Sequence, residues 1–161
     1  MIKHLRIDNR LIHGQVVNLW LRQINVKSVT VVNDAVANDA ILKKALVLAA
    51  PNIPVHAFSI EEAVRYARDN PDEPLFYIAK YPTDALRVLE SGVQVEFVNV
   101  GNAAPIVGKK HKMVTNQIAV SIEDAEVYRQ IAKLNNNVLI SQLIPSYSAI
   151  DFLEALRKAG L

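Results

Sequence analysis

Four residues that could bind or carry a phosphoryl group lie close together near the start of the sequence: Asp8, Arg10, His13 and Gly14. The guanidinium of Arg10 offers phosphate a planar set of donors, and Asp8 can orient either that guanidinium or a ring nitrogen of His13. A neighbouring cation and a helix N-terminus both disfavour the imidazolium, which favours a neutral, nucleophilic His13 at about pH 7. These residue types predict a phosphoryl acceptor on His13.

The position of this segment supports the phosphate interpretation. Residues 2–7 are typical of a strand, and an amphipathic helix follows over about residues 15–24. If the helix begins near Gly14, the backbone N–H groups of Gly14, Gln15 and Val16 face the loop, and such groups bind anions. A glycine there also lets a ligand come close to the backbone.

The rest of the chain alternates between short β-branched runs and amphipathic stretches. The predicted strands cover residues 2–7, 29–32, 55–58, 75–79, 95–100, 118–120 and 138–143. The predicted helices cover residues 15–24, 38–49, 59–69, 84–90, 121–135 and 150–158, with Ser59, Thr83 and Ser121 as capping residues. This order predicts an α/β fold with an open, mostly parallel twisted sheet of about seven strands and helices on both faces.

One domain over residues 1–161 is expected, since the length matches an ordinary domain and no linker or repeat divides the chain. Ligands of such sheets bind outside the carboxyl ends of the strands, at the point where the strand order reverses. The loops after residues 7, 32, 79 and 100 are therefore the expected places for a site.

Composition excludes several classes of protein. With zero cysteines the chain has no disulfides and no thiol chemistry, which fits a cytoplasmic protein, and we find no signal peptide or apolar run long enough to span a membrane. The net charge is +2, and no basic run exceeds two residues outside the segment 109–112, so nucleic-acid binding is not expected. Neither a cofactor nor a metal is predicted, because the five glycines form no nucleotide motif and the four histidines form no HxH or HExxH pair.

Residues 101–117 are predicted to form a long connection, and loops of that length within compact domains tend to be functional. The segment carries Lys109, Lys110 and Lys112. These lysines could steer an anionic partner towards the site, or they could be ordinary solvated loop charges.

Two alternatives to a phosphoryl acceptor stay open on the residues alone. The first is a charged loop without activity, in which Asp8 acts as a cap, Arg10 is solvated and His13 is partly buried. The second is a noncatalytic regulatory or binding module, in which the same loop binds a phosphorylated ligand reversibly and His13 is not modified.

Three segments resemble a known family. The family is the IIB components of the mannose/fructose/sorbose type in the bacterial sugar phosphotransferase system, whose signature around the phosphorylated histidine is similar to Arg6-Ile7-Asp8-Asn9-Arg10-Leu11-Ile12-His13-Gly14-Gln15-Val16. Residues 31–37 and 92–101 resemble its second and fifth strand regions. Two positions depart from the common pattern: Asn9 replaces an acidic residue, and Ala103 replaces a methionine that is frequent there.

The resemblance implies a protein-phosphohistidine–sugar phosphotransferase. His13 would accept a phosphoryl group from a phosphohistidine on a IIA partner and pass it to a sugar held by the membrane IIC/IID subunits, with which a cytoplasmic IIB protein associates peripherally. Arg10 would be the phosphate ligand, and further residues would bind or orient the phosphate: Arg6, Asp8, Gly14 and Gln15. The sequence does not identify the sugar or say whether the chain forms a homo-oligomer.

Overall fold

The computed structural model describes residues 1–135 and 138–161, and at Gln15 it describes the backbone only. The strands are β1 (Ile2–Asp8), β2 (Ser28–Val32), β3 (Val55–Phe58), β4 (Leu75–Ala79), β5 (Val98–Asn102), β6 (Lys112–Thr115), β7 (Ile118–Val120), β8 (Ile140–Ser141) and β9 (Ile150–Asp151). The helices are α1 (Gly14–Gln23), α2 (Asp34–Ala37), α3 (Ala40–Ala49), α4 (Ile60–Asp69), α5 (Pro82–Glu90), α6 (Ile122–Leu134) and α7 (Phe152–Lys158).

Seven of these strands form one sheet in the order β3-β2-β4-β1-β5-β8-β9. The pairings are parallel except the last, in which β9 runs antiparallel to β8. The predicted open, mostly parallel sheet of about seven strands is confirmed. Strand β1 is central, with β4 on one side and β5 on the other, so the loop that follows it lies in the middle of the carboxyl edge.

Helices cover both faces of the sheet, as predicted. On one face α1 and α3 pack over a core that includes Trp20, Val31 and Phe76. On the opposite face α4, α5, α6 and α7 pack over a core that includes Tyr77 and Tyr128. Because both faces are covered, strand β4 is an apolar run that is buried along its whole length, without polar alternation.

The C-terminal part of the fold differs from the prediction. Strand β7 does not join the large sheet but pairs antiparallel with β6, which lies in the predicted loop 101–117. An isolated bridge from Ala103 to Ile118 attaches this hairpin beyond the end of β5. The seventh place in the sheet is taken by β9, where a helix was predicted to begin. Helix α7 starts at Phe152 instead, because the Asp151 carboxylate accepts the N–H of Glu154 at 3.1 Å.

Other boundaries also shift by a few residues. Strand β5 covers Val98–Asn102 instead of 95–100, and β8 covers only two residues of the predicted 138–143. Helix α3 begins at Ala40 because the Asp39 carboxylate accepts the backbone N–H groups of Ile41 and Leu42. Helix α5 begins at Pro82, before the predicted cap Thr83, since a proline in the first helical position needs no hydrogen-bond donor.

Candidate functional site

A tight turn connects β1 to α1. The N–H of Leu11 donates to the carbonyl of Asp8 at 3.0 Å, and Leu11 has a φ of 64°, in the left-handed region that side chains other than glycine rarely adopt. Such a conformation costs about 1–2 kcal/mol and persists only where surrounding contacts impose it. The buried Leu11 side chain packs into the core under α1, which supplies those contacts.

The turn presents His13 at the surface. His13 is the N-cap residue of α1, its carbonyl accepts the N–H of Val17 at 3.0 Å, and its imidazole makes no capping hydrogen bond. The side chain is exposed, so the interpretation with a partly buried His13 is wrong. The first backbone N–H groups of a helix lack intrahelical acceptors, so an anion on the imidazole would be close to unpaired donors.

Asp8 organises the cations of the site. One carboxylate oxygen accepts the N–H (3.1 Å) and the Nε (3.0 Å) of Arg10, and the other accepts Arg10 Nη2 at 2.9 Å. The carboxylate is buried, whereas Arg10 remains partly exposed. The sequence left two partners open for Asp8, the guanidinium of Arg10 and a ring nitrogen of His13. The structure shows the Arg10 guanidinium, which Asp8 holds in one plane beside the His13 turn.

Arg6 contacts Asp8 from the interior of the protein. Its Nε and Nη2 donate to the same Asp8 oxygen at 3.1 and 3.0 Å, and its Nη1 donates to the carbonyl of Gln142 at 3.1 Å. Burial lowers the pKa of the Arg6 guanidinium, and the negative charge of Asp8 opposes that shift. Because Arg6 is buried, its geometry suits orienting Asp8 and Arg10 and does not suit contact with a surface phosphate.

The sequence prediction missed the residues that support Arg6. A Cβ on Gly101 would lie 2.1 Å from the Arg6 guanidinium carbon, so only glycine leaves room for this side chain. The amide of Asn99 accepts the N–H of Gln142 at 2.9 Å and donates to its carbonyl at 3.0 Å, which fixes the position of the second acceptor of Arg6. A glycine at the end of a strand is the one available sequence signal, since it often marks close approach.

A further cation that the prediction missed is Lys80, directly after β4. The register pairs Ile7 with Ala79, which places Lys80 beside Asp8 at the same edge of the sheet. Lys80 is half-buried, and its ammonium lies 5.2 Å from the centre of the Tyr81 ring. It adds positive charge near the His13 turn.

Gly14 and Gln15 lie in the first turn of α1, as predicted. A Cβ on Gly14 would lie 3.2 Å from the carbonyl oxygen of Ala49, so the glycine also allows α1 to begin close to the end of α3. The side chain of Gln15 lies outside the described part of the structure.

The three predicted steering lysines do not share one environment. Lys109 and Lys110 are exposed in the loop between β5 and β6, whereas Lys112 Nζ donates to the carbonyl of Gly160 at 2.9 Å, at the end of α7. Asn9 ties the start of that loop to the site. Its amide donates to the carbonyl of Ala104 at 3.1 Å and accepts the N–H of Ala104 at 3.0 Å. An aspartate could not make the first bond, which gives a physical reason for Asn9.

The described residues, 1–135 and 138–161, contain no group of three or more His, Asp or Glu side chains placed to hold a metal ion. No helix among them combines the length and the hydrophobicity that crossing a bilayer requires.

Comparison with known proteins places the whole chain in one family. A family model described as PTS system sorbose subfamily IIB component matches residues 2–161. The chain is 32% identical over 159 residues to the sorbose-specific EIIB component of Klebsiella pneumoniae, covering 96% of this chain and 94% of that relative. It is 36% identical over 130 residues to the mannose-specific EIIAB component of Escherichia coli K12, covering 78% of this chain but 39% of that longer relative.

A solved structure supports the same conclusion. The IIBSor domain of the sorbose permease from Klebsiella pneumoniae matches with a TM-score of 0.90 and 31% identity, covering 98% of this chain and 97% of that one. The resemblance seen in residues 6–16 is thus confirmed over nearly the full length, together with the fold. The chain belongs to the sorbose subfamily of IIB components of the sugar phosphotransferase system.

Proposed function

We propose that His13 accepts a phosphoryl group from a phosphohistidine on a IIA protein and passes it to a sugar held by the membrane IIC/IID subunits. The observation that carries this proposal is the exposed imidazole of His13 at the N-terminus of α1, next to an Arg10 guanidinium that buried Asp8 holds in place. This arrangement combines a nucleophile with two sources of positive charge.

The first transfer exchanges one nitrogen–phosphorus bond for another. An unprotonated ring nitrogen of His13 forms a bond to phosphorus while the bond to the donor imidazole breaks. His13 releases the proton of its other ring nitrogen, and the departing donor imidazole takes up one proton, so the step is balanced. In the second transfer a sugar hydroxyl oxygen replaces His13 on phosphorus, and the hydroxyl proton returns to the imidazole.

Catalysis then rests on position and electrostatics, as in phosphoryl transfer generally. Arg10 binds Asp8 through Nε and Nη2, and in the described part of the chain its Nη1 has no protein acceptor. The N–H groups of Nη1 are therefore available to the equatorial oxygens of a phosphoryl group. Because Asp8 already fixes the Arg10 guanidinium, Arg10 needs little rearrangement when negative charge develops on the phosphoryl oxygens during transfer.

The partners and the location are part of the proposal, and membership of the family supports them. The mannose-specific relative is named an EIIAB component, which supports a IIA protein as the donor. Relatives named for sorbose and for mannose show that the family does not assign one sugar. We place the protein in the cytoplasm, at the inner face of the permease.

The test is labelling by a phosphorylated IIA protein from the same organism, with His13→Ala compared with His111→Ala. His111 is also an exposed histidine, but it lies in the loop between β5 and β6. We expect an acid-labile, base-stable phosphoryl adduct on the wild type and on His111→Ala, and none on His13→Ala. Thermal unfolding should be unchanged in both variants, because neither side chain is buried.

Two outcomes would contradict the proposal. Full labelling of His13→Ala would move the acceptor to another residue. Binding of the phosphorylated donor by the wild type, with no adduct at any time, would instead favour a noncatalytic binding module.

A further inference from the structure

Helix α3 exposes an apolar surface. Ile41 is 83% exposed, Leu48 78% and Val47 51%, while Leu46 is the buried residue of the helix. Ile41 and Leu48 are two turns apart on one side, with Ala45 between them. A helix at the surface of a globular protein normally turns its polar side outward, and a contiguous apolar patch marks an interaction site.

This apolar surface adjoins the His13 turn. The carbonyl oxygen of Ala49, at the end of α3, lies 3.2 Å from the position a Cβ on Gly14 would take. Val47 and Leu48 are therefore within one helical turn of the start of α1, where His13 is the N-cap residue.

A second apolar patch flanks the turn on its other side. The side chain of Asn9 makes two hydrogen bonds to the backbone of Ala104, which anchors the start of the loop between β5 and β6. Two residues further on, Ile106 and Val107 are exposed. The turn that carries His13 therefore lies between the two patches. Asn9 connects it to the loop patch, and Gly14 lies next to the end of α3.

Each patch is accompanied by a pair of lysines. Lys43 and Lys44 are exposed on α3, and Lys109 and Lys110 are exposed in the loop. An apolar centre with a charged rim is the usual composition of a surface that binds another protein. The complementary surface would be apolar with an acidic rim, and a phosphorylated histidine would add further negative charge.

We propose that the α3 surface (Ile41, Val47 and Leu48 with Lys43 and Lys44) and the loop patch (Ile106 and Val107 with Lys109 and Lys110) together dock the phosphohistidine donor protein. This inference rests on the proposed function. A sugar is too small to cover both sides of the turn, whereas a stable protein interface covers about 800 Å² on each partner. The donor is the protein whose own reacting atom must reach His13.

The experiment compares Leu48→Ser and Ile41→Ser/Leu48→Ser with Leu134→Ser. Leu134 is a matched control, because it is a helical leucine, 47% exposed, at the opposite edge of the sheet near Met1. We expect the second-order rate constant for transfer from phosphorylated IIA to fall about tenfold or more in the double variant and to stay within about twofold in the control. Labelling of His13 by phosphoramidate, a small phosphoryl donor, should be equal in all of them.

Each failure has its own signature. Wild-type transfer from phosphorylated IIA by Ile41→Ser/Leu48→Ser would overturn the docking surface while leaving His13 as the acceptor. Equal losses with phosphoramidate and with IIA would also overturn it, because the substitutions would then act on His13 itself. A loss confined to the sugar step would assign the surface to the permease and contradict the proposal. The proposed function fails separately, if His13→Ala is labelled.

Discussion

At the scale of single residues, Arg10 is the side chain whose removal should affect chemistry most after His13. Arg10→Gln keeps a polar side chain but loses the charge and the two-point contact with Asp8. We expect phosphoryl transfer to slow about 100-fold or more, because a fixed donor to the developing charge is lost. The donor step and the sugar step should be measured separately, in rapid-quench experiments.

The control for this prediction is Arg22→Gln. Arg22 is an exposed arginine in the last turn of α1, so Arg22→Gln removes the same charge at the opposite end of the helix from His13. If Arg10→Gln transferred as fast as this control, the phosphate ligand would have to be another cation at the same edge of the sheet, and Lys80 is the first candidate.

The substitution Gly101→Ala tests whether the position of Arg6 supports the site. In Gly101→Ala the new Cβ would collide with the Arg6 guanidinium, so Arg6 must move away from Asp8 or Gln142. We expect a loss of about 1–3 kcal/mol in the free energy of unfolding, together with slower transfer. Urea unfolding and donor labelling measure the two effects.

A double-mutant cycle identifies the cause. In an Arg6→Ala background the colliding guanidinium is gone, so adding Gly101→Ala should cost little more stability. Additive losses across the cycle would show that the glycine matters for a reason other than Arg6.

At the scale of elements, His4 joins β1 to α1 within the core. Its ring centre lies 4.5 Å from that of Trp20, 4.8 Å from Phe76 and 4.9 Å from Phe97. Burial, with a smaller effect from the charge of Arg6, lowers the pKa of His4 well below 6.5. The imidazole is therefore neutral in the folded protein, where it acts as one more ring of an aromatic cluster.

This environment predicts that the protein loses stability in mild acid. In the unfolded chain His4 takes up a proton below about pH 6.5, whereas in the fold it resists protonation, so the unfolded state binds more protons and stability falls as pH falls. In His4→Phe the free energy of unfolding should drop less between about pH 7.5 and about pH 5.5 than in the wild type. Urea titrations at the two pH values provide the measurement.

His56 is the internal reference for that comparison. Burial lowers its pKa as well, with an opposing effect from Glu73, and it is present in both proteins, so its contribution cancels in the difference. Equal acid sensitivity of the wild type and His4→Phe would assign the effect to groups other than His4.

At the scale of the whole molecule, the net charge is only +2, but the charged side chains are distributed unevenly over the surface. Lys109 and Lys110 are exposed in a loop that Asn9 anchors beside the His13 turn. Exposed charges act over about 8 Å at physiological salt, so these lysines can speed the encounter with an anionic donor only when salt is low or moderate.

Lys109→Glu/Lys110→Glu should therefore lower the second-order rate of transfer from phosphorylated IIA and reduce its dependence on salt. Lys27→Glu/Lys133→Glu makes the same change in net charge with exposed lysines at the opposite edge, and it should retain most of the wild-type rate. Stopped-flow rates across a salt series distinguish the two variants. If both slowed equally, net charge alone would explain the effect and the loop would have no steering role.

The sequence by itself determined the features of this protein that depend on residues close together in the chain. The strand pattern of residues 2–7, the charged turn after it and the amphipathic pattern of α1 are local signals. Together they predicted a loop with His13, Arg10 and Gly14 at the carboxyl edge of a parallel sheet. The similarity in residues 6–16 identified the family for the same reason, because the signature is one continuous segment.

Only the tertiary structure decided the features that join distant parts of the chain. Arg6 was predicted as a phosphate ligand or orienting residue, and its contact with the carbonyl of Gln142, 136 positions away, is what places it in the interior. Gly101 leaves the space that the Arg6 guanidinium occupies. No local sequence pattern shows where that guanidinium lies, so the importance of Gly101 could not be predicted. Strand β9 and the apolar surface of α3 also lay beyond prediction, since hydrophobicity marks a residue for burial without saying which neighbour covers it.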